Sequence, residues 1–426
     1  MPVLLRRLAA IAVLALGALV VGVLLLRAMG AQVALGPLAS PTPLPTAPLA
    51  PITVPSGGAA PSGRPPTFSQ IEAQVRARRG LPAPHIGAPR LISRAELGRE
   101  LRAQLQIDDP PARQAAETAT LRAMGLLTAT QEIGALRLKL LTGQVVGFYD
   151  DRARRMAIVG EAGLTPQVQM TYAHEYTHAL QDAAFRLSSL DLNARGADDR
   201  DLARLSLVEG DATTSMTLWA LDHLTPQQLA AVGRGGAPDL AGIPAWMVRQ
   251  LAFPYTAGAN FVARLYASGG FAAVDAAFRQ PPISTEQVIH YDKYVANEKP
   301  VAVSLPAVAA MLGSGWTEAS SSAEGEATID IWLTGLGAEA GAASLAAQGW
   351  GGDRLMVDTG PAGSFALAWK LTWDSPADAR EFRQTYAAVE SRLAFPSQLI
   401  SLGDRTVLVA HASSKEILRR VVAAVR

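Results

Sequence analysis

Residues 165–182 read TPQVQMTYAHEYTHALQD, and the rest of the chain is best read outward from them. Thr165-Pro166 is a helix start. The threonine hydroxyl can take a free backbone N–H, and proline suits a first helical position that needs no N–H. The helix carries through about Asp182. Within it, His174-Glu175-Tyr176-Thr177-His178 is an H-E-x-x-H sequence. Four residues turn a helix by about 400°, so the two imidazoles sit about 40° and one turn apart and can reach one metal ion. Glu175 projects near the open side of that metal, where it can take a proton from water. Random placement would produce this pattern in roughly three chains per thousand, so coincidence is a weak explanation.

Downstream, Leu202, Leu205, Val208, Glu209, Ala212 and Met216 follow helical spacing, on a helix expected from Asp198 or Asp199 to His223. Glu209 lies along the apolar stripe. An ionised carboxylate facing a core is costly unless it is paired or bound to metal. No basic residue follows at i+3 or i+4, and Arg204 lies five positions back, so Glu209 is the candidate third ligand. Upstream, QVVGFY (144–149) and RMAIV (155–159) are short β-type runs around Asp150-Asp151, which reads as a hairpin.

HEYTHALQD with a later VEGDA resembles the gluzincin metallopeptidases, the thermolysin-like clan, and most of all its bacterial membrane-anchored members. The resemblance covers about residues 140–300. It implies a zincin-like fold, a Zn²⁺ held by His174, His178 and Glu209, Glu175 as general base, and a peptide or protein substrate. It implies an aspartate orienting a ligand histidine, for which Asp211 fits although the E-G-D spacing is shorter than in thermolysin. Asp182, one turn past His178, is the other candidate. The hairpin stands where the clan places an edge strand that receives substrate backbone. The oxyanion of the reaction needs a donor, and His290, Tyr255 and Tyr294 are candidates, with His290 in a polar, aromatic-rich run. Tyr172 and Tyr176 read as packing residues, and His85, His223 and His411 as structural.

Composition bounds the alternatives. The 426 residues are 49% hydrophobic and 18% charged, which excludes disorder throughout. Lys+Arg (38) and Asp+Glu (37) give net +1, with no basic block, so nucleic acid is not an expected partner. Without cysteine there is no disulfide, thiolate metal site or Cys nucleophile; any metal rests on carboxylates and the six histidines. Two other readings stay open: a catalytically retired relative that binds an envelope partner, and a zinc hydrolase acting on a non-peptide amide or ester. The cluster Asp191, Asn193, Asp198, Asp199, Asp201 lacks the alternate spacing of a calcium loop, and helix capping explains it.

Leu8 to Leu26 carries no charge, and nineteen residues rise about 28 Å, near the thickness of a bilayer core. Arg6-Arg7 before it and only Arg27 after it place the body on the extracytoplasmic side. An uncleaved signal anchor is expected; a cleaved signal peptide would release the body instead. The expected division is a cytoplasmic tip and anchor over 1–35, a Pro-rich linker over 36–66, a metallopeptidase domain over 67–300 and a C-terminal α+β domain over 301–426. The expected class is thus α+β: a mostly helical, zincin-like domain with a small sheet, an N-terminal transmembrane helix and a smaller α+β domain. Further expectations are a helix opened by the Ser93-x-x-Glu96 capping box, separate helices at 244–252, 256–268 and 271–278, a loop over 318–326, a turn at Trp350-Gly351-Gly352, and a last helix opened by Ser413-x-x-Glu416.

Overall fold

The structure, a computed structural model, describes residues 66–160, 163–192, 196–233 and 240–426. Ser93 and Glu96 form their capping box. In chain order come α1 (Phe68–Arg79), β1 (Arg90–Ile92), α2 (Arg94–Asp108), α3 (Pro111–Ala123), α4 (Ile133–Gln144), β2 (Gly147–Asp150), β3 (Arg155–Val159) and α5 (Pro166–Phe185). A 3₁₀ turn (Leu187–Leu190) leads to α6 (Asp198–His223), α7 (Pro226–Gly233), α8 (Ala245–Arg279), α9 (Thr285–Ile289), α10 (Tyr291–Val295) and α11 (Val308–Leu312). Then follow β4 (Thr317–Ser322), α12 (Gly325–Gly335), α13 (Ala340–Ala347), β5 (Trp350–Thr359), β6 (Phe365–Trp373), α14 (Pro376–Glu390), β7 (Ser397–Ser401), β8 (Thr406–Ala412) and α15 (Lys415–Val425).

The observed class is α+β, and the expected class is corrected in its transmembrane helix. Among the described residues no helix is long and apolar enough to cross a membrane. The stretch Leu8–Leu26 and nearly all of the Pro-rich linker lie outside the described residues.

Sequence-local expectations are corrected where long-range packing outweighs propensity. The three helices expected over 244–278 are one, α8, with Pro254 inside it and a bend at Gly269 and Gly270, where Gly270 has φ 62°. Pro254 removes one backbone hydrogen bond, and the helix nonetheless continues because it packs along α6. Gly210 and Gly258 make that crossing close: a Cβ on Gly258 would stand 2.2 Å from the Ser206 carbonyl oxygen, and one on Gly210 2.2 Å from that of Gly258. The loop expected over 318–326 holds β4 and the start of α12. Trp350-Gly351-Gly352 opens β5 with a bulge rather than a turn. The last helix is capped by Ser414, whose side chain accepts from the Ile417 N–H, in place of Ser413.

The small sheet has the order β1-β3-β2, with β2 antiparallel to β3 and free on its outer edge within the sheet. The larger sheet has the order β4-β5-β6-β8-β7, antiparallel throughout. One hydrophobic cluster joins Leu97, Leu101, Leu121 and Phe148 to Trp332, Trp369 and Tyr386, so the wall of the small sheet and the face of the large one share a core across residue 300. Trp332 and Trp246 donate their indole N–H groups to the Met124 and Leu126 carbonyls, which fastens the end of α3.

Candidate metal centre

Thr165 caps α5, with its side chain accepting from the Val168 N–H, and Pro166 takes the first turn. From Val168 to Gln181 every residue of this helix is buried, so the histidines are held by packing on all sides. α6 crosses α5 and brings Glu209 to them. His174 Nε2 stands 3.1 Å from His178 Nε2 and 3.2 Å from Glu209 Oε2, and His178 Nε2 stands 3.4 Å from the same oxygen. The two rings are close to perpendicular, at 86°.

These separations fit a metal. Three ligands of a tetrahedral zinc, each about 2.0–2.1 Å from the ion, stand about 3.3–3.4 Å from one another. Two further observations agree. Glu209 Oε1 and Glu175 Oε2 are buried without a hydrogen-bond partner. Arg204, the nearest cation upstream, donates instead to the Leu190 carbonyl. A carboxylate buried at 0% exposure, with no Lys or Arg among the described residues paired to it, is an expensive arrangement unless it serves a cation.

The electrostatics are strongly coupled. Burial pushes the His174 ring below its ordinary value. Burial acts the same way on His178, but the Glu209 carboxylate overcomes it and holds that ring up at about 9. Burial would raise Glu209, yet the charge of His178 and the hydrogen bonds from both rings keep it lowered. Glu175, adjacent and 2% exposed, is raised to about 8 by burial, against the attraction of His178 and a hydrogen bond from the Tyr149 N–H. A carboxyl held near neutrality is suited to take a proton and give it back.

Among the oxyanion candidates, the structure brings Tyr255 to the cluster. Its ring centroid is 6.1 Å from that of His174, and its hydroxyl interacts with Glu209. Burial raises its pKa, as do the Glu209 and Glu175 carboxylates, so it stays a neutral donor. His290 is not brought there: its Nε2 lies 2.9 Å from Glu326 Oε1. The segment that carries it is tied to the far end of α6 through Thr285, which donates to Asp199, ten residues or about 15 Å along the helix from Glu209. Tyr294 donates to the Gln280 carbonyl. Tyr172 and Tyr176 lie in a hydrophobic cluster with Phe68 against it, and the Tyr172 hydroxyl bonds Glu72. His85 and His223 are exposed. His411 is buried between Tyr386 and the Ala123 carbonyl.

Around the cluster, Asp211 does not touch a histidine. It accepts from Gln181 Nε2 at 2.9 Å, and Gln181 Oε1 faces His178 Nδ1 at 2.9 Å. Asp182 instead accepts from the Tyr149 hydroxyl and the Leu187 N–H, so it closes the end of α5. Sequence reasoning missed Gln181 and Arg79, whose Nε pairs with Asp211 Oδ1 at 2.9 Å. Gln181 was findable, three residues past His178 on the same helix face. Arg79, 132 positions before Asp211, was not.

The acidic residues after the 3₁₀ turn do not converge on one point. Asp191 and Asp201 pair with Arg200, Asp199 accepts from Thr285, and Asn193 lies outside the described residues. A second acidic group, Glu286, Glu298 and Asp374, is already served by Lys293 Nζ at 2.6, 2.8 and 2.6 Å.

A cleft of about 340 Å³ reaches His178 and Glu209. The β2–β3 turn and α2 form one wall, and the 3₁₀ turn and α6 the other. Leu101, Phe148, Leu192 and Val208 give it apolar surface, and Asp150, Asp151 and Arg155 a charged rim.

In comparison with known proteins, a domain of unknown function, DUF8575, matches residues 312–421, the large sheet and its helices. No curated protein and no solved structure matches the chain.

Proposed function

We propose that this protein is a zinc-dependent metallopeptidase, with His174, His178 and Glu209 as ligands. The observation that carries the proposal is the convergence of three buried side-chain atoms within 3.1–3.4 Å, next to a buried Glu175, beside a cleft that His178 and Glu209 line. Zinc in such a site supplies Lewis acidity, which acidifies water and polarises a carbonyl.

The chain's own groups account for the rest. Glu175, with its carboxyl near neutrality, accepts the proton of the attacking water and returns it to the leaving amine. On substrate binding the Tyr255 O–H turns from Glu209 to the oxygen on which charge develops. β2 stands at the sheet edge beside the cleft, so an extended peptide can lie against it.

The test is metal analysis of the purified protein together with a peptide-library digest. One zinc per chain is expected, with cleavage of peptides. His174→Ala should lose the metal, whereas Glu175→Gln should keep it and lose turnover. If the two variants behave alike, the assigned roles are wrong. Stoichiometric zinc with no hydrolysis of any peptide would favour a binding protein instead.

A further inference from the structure

We propose that the buried chain Arg79–Asp211–Gln181 fixes which nitrogen of His178 faces the metal, so that α1 is a positioning element of the metal centre. The inference rests on the metal reading above and adds to it. Gln181 Nε2 lies 2.9 Å from Asp211 Oδ2 and 3.0 Å from the Val208 carbonyl oxygen. Both partners only accept, so the amide nitrogen must face them. The amide oxygen is thereby turned towards His178 Nδ1, 2.9 Å away, and can only accept from it. Nδ1 therefore carries a hydrogen, and Nε2 is the nitrogen left for the metal.

Asp211 holds this orientation only if its own charge is answered. Arg79 answers it, with Nε 2.9 Å from Oδ1 and 3.2 Å from Oδ2, both side chains at 0% exposure. The same guanidinium reaches Asp275 through Nη2 at 2.7 Å and lies 4.6 Å from the centre of the Phe271 ring. α1 ends on Arg79, so its docking delivers the cation. His174 has no such support, since its Nδ1 is buried without a partner. The orientation of the pair thus depends on the side that α1 braces.

The experiment is zinc affinity by chelator competition, with thermal melting of the metal-free protein alongside. Gln181→Met removes the acceptor and should weaken zinc binding ten- to a hundredfold. Gln181→Glu loses the donation to Asp211 and should melt lower, yet keeps an acceptor for Nδ1–H and should hold zinc within a few-fold of wild type. A merely structural role would lower melting and affinity together in both. Arg79→Met should weaken zinc binding like Gln181→Met, and Arg79→Lys should restore most of it; if Arg79→Met does not fold, the two Gln181 variants still decide. Wild-type zinc affinity in Gln181→Met overturns the inference and leaves the metal centre standing. A wild-type protein that binds no zinc removes the metal centre itself.

Discussion

Gly258→Ala tests whether the crossing of α6 and α8 sets the site. Both Gly210 and Gly258 lie in helices without a left-handed φ, so intrinsic propensity alone favours alanine by about 1 kcal/mol. The packing predicts the opposite sign. The added Cβ would meet the Ser206 carbonyl oxygen at 2.2 Å and its carbonyl carbon at 2.9 Å, backbone atoms that cannot rotate away. Restoring an ordinary contact, from 2.2 Å to at least 3.4 Å, requires the helices to part by more than 1 Å. Overpacking of this kind costs about 1–3 kcal/mol, at the upper end when backbone meets backbone, which leaves a net loss near 2 kcal/mol.

The functional cost is larger, because Tyr255 is one turn from Gly258 and Glu209 is next to Gly210. A displacement of about 1 Å in a positioned group costs on the order of a hundredfold in rate. Urea unfolding and peptide turnover measure the two effects, and zinc affinity tells which helix moved: it falls if Glu209 shifts and holds if Tyr255 does. Gly87→Ala is the control, as its Cβ would meet nothing within 4 Å. Gly258→Ala with stability and turnover at wild-type level would refute the idea that this close approach shapes the site.

Three further outcomes are expected. His411 is lowered by burial from 6.5 to about 4, so the folded state favours the neutral ring; its contribution is complete above pH 6.5 and is lost as the pH falls towards 4, amounting to about 3 kcal/mol. Urea unfolding of wild type between those pH values should show the slope, and His411→Gln should flatten it. Zinc should raise the melting temperature of the chelator-treated protein as its concentration passes the dissociation constant, and Glu209→Gln should abolish that rise. Asp353 accepts from the N–H groups of Glu324 and Gly325 and from the indoles of Trp350 and Trp369, so Asp353→Asn turns a donor towards donors and should cost about 1–3 kcal/mol in urea unfolding.

What was readable in the sequence was what helical periodicity carries. The spacing of His174 and His178, the stripe that holds Glu209, and the starts at Ser93 and Thr165 are local facts, decided within a turn or two of chain. What was not readable lies between elements. α8 runs through Pro254 because α6 supports it, β4 forms from a serine-rich run because β5 pairs with it, and Gly210 reads as a gap in a helix until Gly258 is set against it. For the same reason the polar run did not show that His290 would lie beside Glu326 and Tyr255 beside Glu209. A polar run suggests reactivity, but a donor for this cluster must come from an element packed against it, and Tyr255 does so because α8 crosses α6 closely at Gly210 and Gly258.

The same distinction explains how the chain can place a costly carboxylate among histidines. No single element could hold Glu209 there: α5 supplies the imidazoles, α6 the carboxylate, α8 the phenol, and α1 the cation behind them. Each helix is fixed by partners remote in sequence, Arg79 to Asp211 and Asp275, Gly210 to Gly258, and α2 through Leu97 and Leu101 to the core shared with Trp369. A site assembled this way resists relaxation, since moving any one of these side chains disturbs a packed interface as well as the charge it faces. This packing holds Glu209 at zero exposure, where the charge of His178 and the hydrogen bonds from both rings keep it ionised, and the large sheet bears on the cluster through the core it shares with α2.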